Sequence, residues 1–219
     1  MAFTNSLKRA KENPNDEFYT QYIDIGLELS NYHKDLKDKV IYCNCDDYRK
    51  SNFVKYLKDN FHIIGIKRLI ATNYDNGDGA YRYDYDGTNE SIERYENSGS
   101  YDTEENLKIL NEEADVVITN PPFSKYKEYL KTLIDSQKKF IIIASVRSIT
   151  YHSVFPYLMN NKINVGYNDS PTGKGKRNNI KYIDGNSGEL KDICSFWYTN
   201  FHIDRPFLVT EKKYKEEDY

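Results

Sequence analysis

The stretch "VVITNPPF", residues 116–123, runs four strand-forming residues into an asparagine, two prolines and a phenylalanine. Two consecutive prolines remove the amide donors a sheet ladder needs, so a strand over 116–119 ends at Asn120. A turn that merely stops a core strand would account for the prolines. It gives no reason for an asparagine before them or an aromatic residue after them.

The flanking segments decide what kind of strand this is. Upstream, "DTEENLKILNEEA" (102–114) reads as a helix opened by Thr103, with Asn106 at the capping-box position usually held by Glu or Gln. Downstream, "SKYKEYLKTLIDSQ" (124–137) reads as a helix with Ser124 as its expected cap and Tyr126, Tyr129, Leu130, Leu133 and Ile134 as its inner face. "KKFIIIAS" (138–145) is the most apolar strand of the chain. The same alternation holds nearer the N-terminus. A helix with an apolar face at Tyr22, Ile25, Leu29, Tyr32 and Leu36 precedes a strand, "KVIYCNC" (39–45). A helix capped by Ser51 then precedes another strand, "KRLIATN" (67–73). "SITYHSVFPYLMNN" (148–161) is expected to be a helix broken or kinked at Pro156, and "INVGYN", "NIKYID" and "ICSFWYTN" are expected strands.

Short buried strands alternating with helices predict an α/β fold: a doubly wound, mainly parallel sheet covered on both faces, with an antiparallel edge from the strand-rich tail. The segment from about 74 to 100 departs from that pattern. "AYRYDYDG" alternates tyrosine with polar residues, Gly87 and Asn89 offer a turn, and "ESIERYEN" returns, so an inserted polar β-hairpin is expected there. "DSPTGKGKRNN" (169–179) has the glycine, proline and serine content of a mobile loop. With 219 residues, one domain spanning 1–219 is expected.

Composition narrows the partners. Charged residues make up 30% of the chain and mean hydropathy is −0.82, with no apolar run long enough to span a bilayer. The N-terminal "MAFTNSLKRA" lacks the apolar segment of a secretory signal, so a cytoplasmic location without membrane contact is expected. Three cysteines and four scattered histidines offer neither a disulfide framework nor zinc-ligand spacing, and no metal site is read from them. Net charge is only −3, but it is unevenly spread. Residues 72–115 hold 13 acidic and 3 basic side chains, whereas residues 137–181 hold 8 basic and 1 acidic. Two electrostatically different faces follow from that split.

At the carboxyl end of a strand in a doubly wound sheet, ligands bind. There the Asn120 amide offers a neutral acceptor, and Pro121 offers a carbonyl with no N–H beside it. The double proline, Pro121 and Pro122, holds that backbone still. Phe123 provides a flat apolar plate. Two acceptors and a plate suit a planar base with an exocyclic amino group, such as adenine. That nitrogen is a poor nucleophile because its lone pair is delocalised. Acceptors on its two hydrogens favour a freer lone pair and stabilise the charge that develops on attack. A base within a duplex reaches such a pocket only by flipping out.

"TNPPF" after an apolar strand resembles the fourth motif of class I, S-adenosylmethionine-dependent amino-methyltransferases, whose fold is Rossmann-like. "DEFYTQ", "IYCNCDD", "SNFVKYL", "LIAT", "EADVVITNPPFS" and "FWYTN", in that order, resemble the EcoRI-type adenine-specific DNA modification methylases over most of the chain, from about 15 to about 200. The resemblance implies methyl transfer from S-adenosylmethionine to the amino group of adenine in duplex DNA. The base would sit in the pocket of Asn120, Pro121, Pro122 and Phe123. It further implies cofactor contacts from Tyr19 and Thr20, from Cys43, Asn44, Cys45, Asp46 and Asp47, from Thr72 and Asn73, and from Tyr101 and Asp102. The basic stretch would face DNA phosphates through Lys174, Lys176 and Arg177, and a restriction endonuclease counterpart is implied. An RNA base amino-methyltransferase, or a non-catalytic DNA-binding relative, are the alternative readings.

Three departures stand out. The usual cofactor loop of class I enzymes is glycine-rich, whereas "CNCDDYRK" contains none, a feature the EcoRI-type group shares. The usual acidic residue after the second strand is replaced by Thr72 and Asn73, leaving Asp46, Asp47 or Asp75 for the ribose. Members of the group also run on beyond the position of Tyr219, so part of target recognition is expected outside this chain.

Overall fold

The structure is a computed structural model of the chain. It describes residues 20–168, 180–183, 190–193 and 195–204.

Helix α1 (Tyr22–Leu29) leads through a 3₁₀ turn (Ser30–Tyr32) into a short α2 (His33–Leu36) and then strand β1 (Val40–Cys43). Ser51 caps α3 (Asn52–Asp59), its hydroxyl accepting from the amides of Phe53 and Val54 at 3.0 and 3.4 Å. A short α4 (Phe61–Ile64) ends at Gly65, whose φ of +78° closes the helix in the left-handed region. Strand β2 (Arg68–Thr72) follows, then the hairpin β3 (Tyr81–Tyr85) and β4 (Glu90–Arg94). Thr103 caps α5 (Glu104–Lys108), which ends in a π-helical turn (Ile109–Glu113) before β5 (Val116–Thr119).

After β5, a 3₁₀ turn (Phe123–Lys125) opens α6 (Tyr126–Asp135), and β6 (Lys139–Ser145) completes the central strands. The remaining described elements are a 3₁₀ turn (Val146–Thr150), α7 (Phe155–Met159), β7 (Asn164–Val165), β8 (Ile180–Ile183), β9 (Leu190–Ile193) and β10 (Ser195–Thr199).

Eight strands form one sheet in the order β4-β3-β2-β1-β5-β6-β10-β7, and β8 and β9 pair separately. The four central strands β2, β1, β5 and β6 are parallel, and both edges are antiparallel. This is the Rossmann-like α/β arrangement expected from the alternation of elements, with the hairpin added in register to the β2 edge.

The period of two along each strand sorts the core into two layers. Ile41, Cys43, Ile118 and Ile143 face α1 and α3, while Tyr42, Val117, Ile142 and Ala144 face α5 and α6. Strands buried on both faces need near-continuous apolar sequence, and β1 and β5 are buried at every position. Among the described residues no helix is long and apolar enough to cross a membrane.

Three local expectations are corrected. Ser124 does not cap α6: it lies inside the 3₁₀ turn, which closes with Lys125 N–H donating to the Pro122 carbonyl at 3.0 Å, and no side chain caps the helix. Pro122 fixes the approach, so the chain turns before it can present a serine as a cap. Pro156 neither breaks nor kinks a long helix. It stands in the first turn of α7, where its missing N–H has no intrahelical acceptor to lose. The tyrosine–polar alternation of "AYRYDYDG" suits an exposed strand, yet Tyr83 is buried and stacks on Tyr48, ring centroids 5.0 Å apart.

Candidate active site

Strand β1 has β2 on one side and β5 on the other, so the order of connection reverses between β1 and β5. A crevice opens at the carboxyl ends of strands flanking such a reversal. The segments 43–47 and 120–123 both lie there.

Parallel register places Ile41 beside Val116 and Tyr42 beside Val117, so the loop after β1 and the turn after β5 leave the sheet side by side. Their side chains join them. Asp46 accepts from Thr119 Oγ1 at 2.5 Å through one carboxylate oxygen and from Ser51 Oγ at 2.6 Å through the other. Its own amide donates to the Thr72 carbonyl at 2.9 Å. One buried residue therefore connects the ends of β1, β2 and β5 and the cap of α3, its amide reaching β2 and its carboxylate reaching β5 and the cap. Hydroxyl donors on both oxygens stabilise its charge.

The other predicted cofactor residues divide by what they already hold. Asn44 is buried and accepts from the Tyr129 hydroxyl at 2.6 Å. Asp47 takes Arg49 through the guanidinium at 2.7 and 2.8 Å and through the amide at 2.9 Å. Burial alone would raise its pKa, but the hydrogen bonds from Arg49 outweigh it and hold the carboxyl below the usual range. Thr72 bonds the Tyr42 hydroxyl at 2.9 Å. Asn73 donates to the carbonyls of Gly79 and Tyr74 and accepts from the Tyr81 amide, so it shapes its own loop. Asp75 accepts from the amides of Gly77 and Gly79 and stays exposed; those two bonds lower its pKa.

Thr20 is drawn into the same region, its carbonyl accepting from Asn52 Nδ2 at 2.8 Å at the start of α3. Tyr101 reaches it from the hairpin side, packing edge-on to Tyr129 at 4.9 Å, with the Lys125 ammonium 5.9 Å from its ring centre. Burial, and then the Asp102 carboxylate, push the Tyr101 hydroxyl up to about 12. Asp102 itself is exposed, and Cys45 is half-buried. Tyr19, Lys174, Lys176 and Arg177 lie outside the described residues.

In the turn itself Pro121 is buried, while Asn120, Pro122 and Phe123 are half-buried. Phe123 packs against the core layer that contains α1 and α3. The structure thus gathers Thr20, residues 43–47, Thr72, Tyr101 and residues 120–123 around one crevice. It also adds Ser51, Thr119 and Tyr129, which the sequence reading did not assign to the site. Only the helix-cap pattern drew attention to Ser51, and its hydroxyl serves both the cap and Asp46. Among the described residues no cluster of His, Cys, Asp and Glu is arranged to hold a metal.

Residues 6–219 match the model of the family described as Adenine-specific methyltransferase EcoRI. The chain belongs to the EcoRI-type adenine-specific methyltransferase family. It is 43% identical over 178 residues to Type II methyltransferase M.EcoRI of Escherichia coli, covering 73% of this chain and 54% of that protein. It is 30% identical to Type II methyltransferase M.MgeORF184P of Mycoplasma genitalium and 29% identical to M.MpnI of Mycoplasma pneumoniae, covering 96% of this chain and 70% of each relative. The chain therefore spans about half the length of M.EcoRI and somewhat more of the two Mycoplasma proteins. No solved structure matches it. The loop after β1 contains no glycine. It is built here on side-chain bonds from Asn44 and Asp46 instead.

Proposed function

We propose that this chain transfers a methyl group from S-adenosylmethionine to the exocyclic amino group of adenine in duplex DNA, with the base flipped into the pocket of residues 120–123. The observation that carries the reading is the Thr119–Asp46 bond, which sets a buried carboxylate one residue from Asn120. A cationic methyl donor and an adenine amino group would need those two features side by side.

The donor set fits such a cofactor. Asp46 would bring negative charge to its sulfonium and ammonium groups, and Tyr101, packed edge-on against the buried Tyr129, would supply an aromatic wall. Thr20, the main chain of 43–47 and the loop at Thr72 and Asn73 would complete its binding surface, with Asp75 the carboxylate left exposed for its ribose. Bound there, the cofactor supplies an electrophilic methyl group.

The chain's own work is to orient the amino nitrogen. The Asn120 side-chain carbonyl and the Pro121 main-chain carbonyl would accept its two hydrogens, freeing the lone pair for in-line attack. Phe123 would hold the base plane by stacking, and Pro122 braces the turn. Neither carbonyl is a base of useful strength, so the proton leaves the nitrogen only after the new bond has made it acidic, and it passes to solvent.

The wider reading is a cytoplasmic modification enzyme with a single methyltransferase domain and a restriction endonuclease counterpart. Lys174, Lys176 and Arg177 would contact DNA. Labelled methyl transfer to duplex DNA and to total RNA tests it: transfer to duplex DNA that falls at least about a thousandfold in Asn120→Ala, at unchanged cofactor affinity, is the expected result. Transfer to RNA alone would overturn the substrate, and full activity in Asn120→Ala would overturn the pocket.

A further inference from the structure

The carboxyl edge of the sheet changes sign across the β1/β5 crevice. The loops after β1 and β2 carry Asp46, Asp47, Asp75 and Asp78 against Arg49 and Lys50, so four carboxylates and two cations leave a net charge of −2; Arg49 is bound to Asp47 at 2.7 Å and Lys50 to Asp78 at 2.6 Å. The segments after β5 and β6 carry Lys125, Lys127 and Arg147. No acidic residue occurs from Asn120 to Lys127 or from Ser145 to Asn168.

All three of these cations are exposed. The ion pairs among the described residues involve other side chains, such as Lys55 with Asp59 and Lys58 with Glu90 on the far side of α3. Lys125 and Lys127 instead stand 5.9 and 4.7 Å from the ring centres of Tyr101 and Tyr151, contacts that restrain an ammonium without neutralising it. Arg147 is presented by a 3₁₀ turn fixed at both ends. Its amide donates to Ser145 Oγ at 3.3 Å, and its carbonyl accepts from Thr150 Oγ1 at 2.8 Å.

We propose that Lys125, Lys127 and Arg147 grip the backbone phosphates on either side of the adenine that enters the pocket. This rests on the DNA reading above and gives it residues. Rotating a base out of a duplex requires its flanking backbone to be held, and phosphate contacts supply that hold and fix register. Cations on the ends of two neighbouring strands, Lys125 and Lys127 after the strand that carries Asn120 and Arg147 after the next, bracket the place where the flipped base enters. The acidic loops after β1 and β2 repel the backbone from the cofactor half of the crevice.

Equilibrium binding of the full chain to a labelled random-sequence duplex, from 50 to 300 mM salt, tests the proposal through the slope of log K against log salt. Each neutralised phosphate contributes about 0.9 to that slope. The variant K125Q/K127Q/R147Q is expected to lower it by about 2 to 3 and to weaken binding more than about tenfold at 100 mM salt, with each single variant removing about 0.9. Cofactor affinity should be unchanged in K127Q/R147Q, and K55Q/K58Q should keep the wild-type slope. A wild-type slope in the triple variant of a protein that does methylate duplex DNA overturns this inference alone. A wild-type chain that neither binds nor methylates duplex overturns the DNA reading, and the phosphate grip with it.

Discussion

Thr119 Oγ1 donates to Asp46 Oδ2 at 2.5 Å, across 73 residues of sequence, and so locks the last residue before the asparagine–proline turn to the loop after β1. Strand β5 alone would leave a threonine hydroxyl buried without this acceptor, and the β1 loop alone would leave a buried carboxylate short of this donor. Each end of the crevice is built by satisfying the other.

Thr119→Val keeps the shape and removes the donor. Losing a hydrogen bond to a charged group is expected to cost about 1.5–3 kcal/mol, read from the denaturant midpoint, while Thr119→Ser should cost less than about 1 kcal/mol. If Asp46 sets the field of the crevice, Thr119→Val also weakens cofactor binding by about tenfold, equivalent to 1.4 kcal/mol. Calorimetric titration showing wild-type cofactor affinity in a destabilised Thr119→Val would confine this bond to stability.

Glu28 is wholly buried and accepts four hydrogen bonds: from the Tyr32 hydroxyl at 2.8 Å, and from the Tyr167 amide, the Asn168 amide and Asn168 Nδ2, each at 2.9 Å. It pins α1 to the chain leaving β7. Gly166 makes the approach possible, because a Cβ there would lie 2.3 Å from Glu28 Oε1 and 2.5 Å from Trp197 Cβ. Glu28→Gln turns one acceptor into a donor facing donors, and a loss of about 3 kcal/mol is expected. Gly166→Ala should be at least as damaging, since both obstacles are packed. Thermal melting within 2 °C of wild type for either variant would refute the clamp.

Acid stability should carry the signature of Asp47. Its native pKa is held low by Arg49, whereas an unfolded aspartate titrates near about 3.9. The stabilisation is therefore complete above that value. It is lost as pH falls below it towards the native pKa, because the unfolded state takes up its proton first. Asp47→Asn is expected to be less stable at pH 7 and to lose stability less steeply below about pH 4. Parallel pH profiles for the two proteins would show that the Asp47–Arg49 pair adds nothing.

Much of the architecture is legible in the chain because its signals are local. The apolar runs over 116–119 and 139–145, the cap patterns at Ser51 and Thr103, and the glycine turn at Gly87 are each written within a few residues, and each element forms where its pattern lies. Ser124 and Pro156 misled for the same reason. Both have helix-boundary chemistry, and the rigid approach through Pro122 and the turn at Val146–Thr150 moved the boundaries. The turn at residues 120–123 was legible from residue type, the cofactor segment 43–47 was implied by the family resemblance, and the structure joins the two through Asp46 and Thr119.

By itself, then, the sequence determined the order and type of the elements and the chemical character of residues 120–123, since backbone propensity and side-chain periodicity act over short separations. Only the tertiary structure decided that the hairpin extends the parallel sheet, that Asn44 is occupied by Tyr129 and Asp46 by Ser51 and Thr119, and that Glu28 holds Tyr167 and Asn168. The physical reason is that a buried polar group must find its partner wherever the fold brings one. That partner stood 85 residues away for Asn44 and 140 for one of the bonds to Glu28.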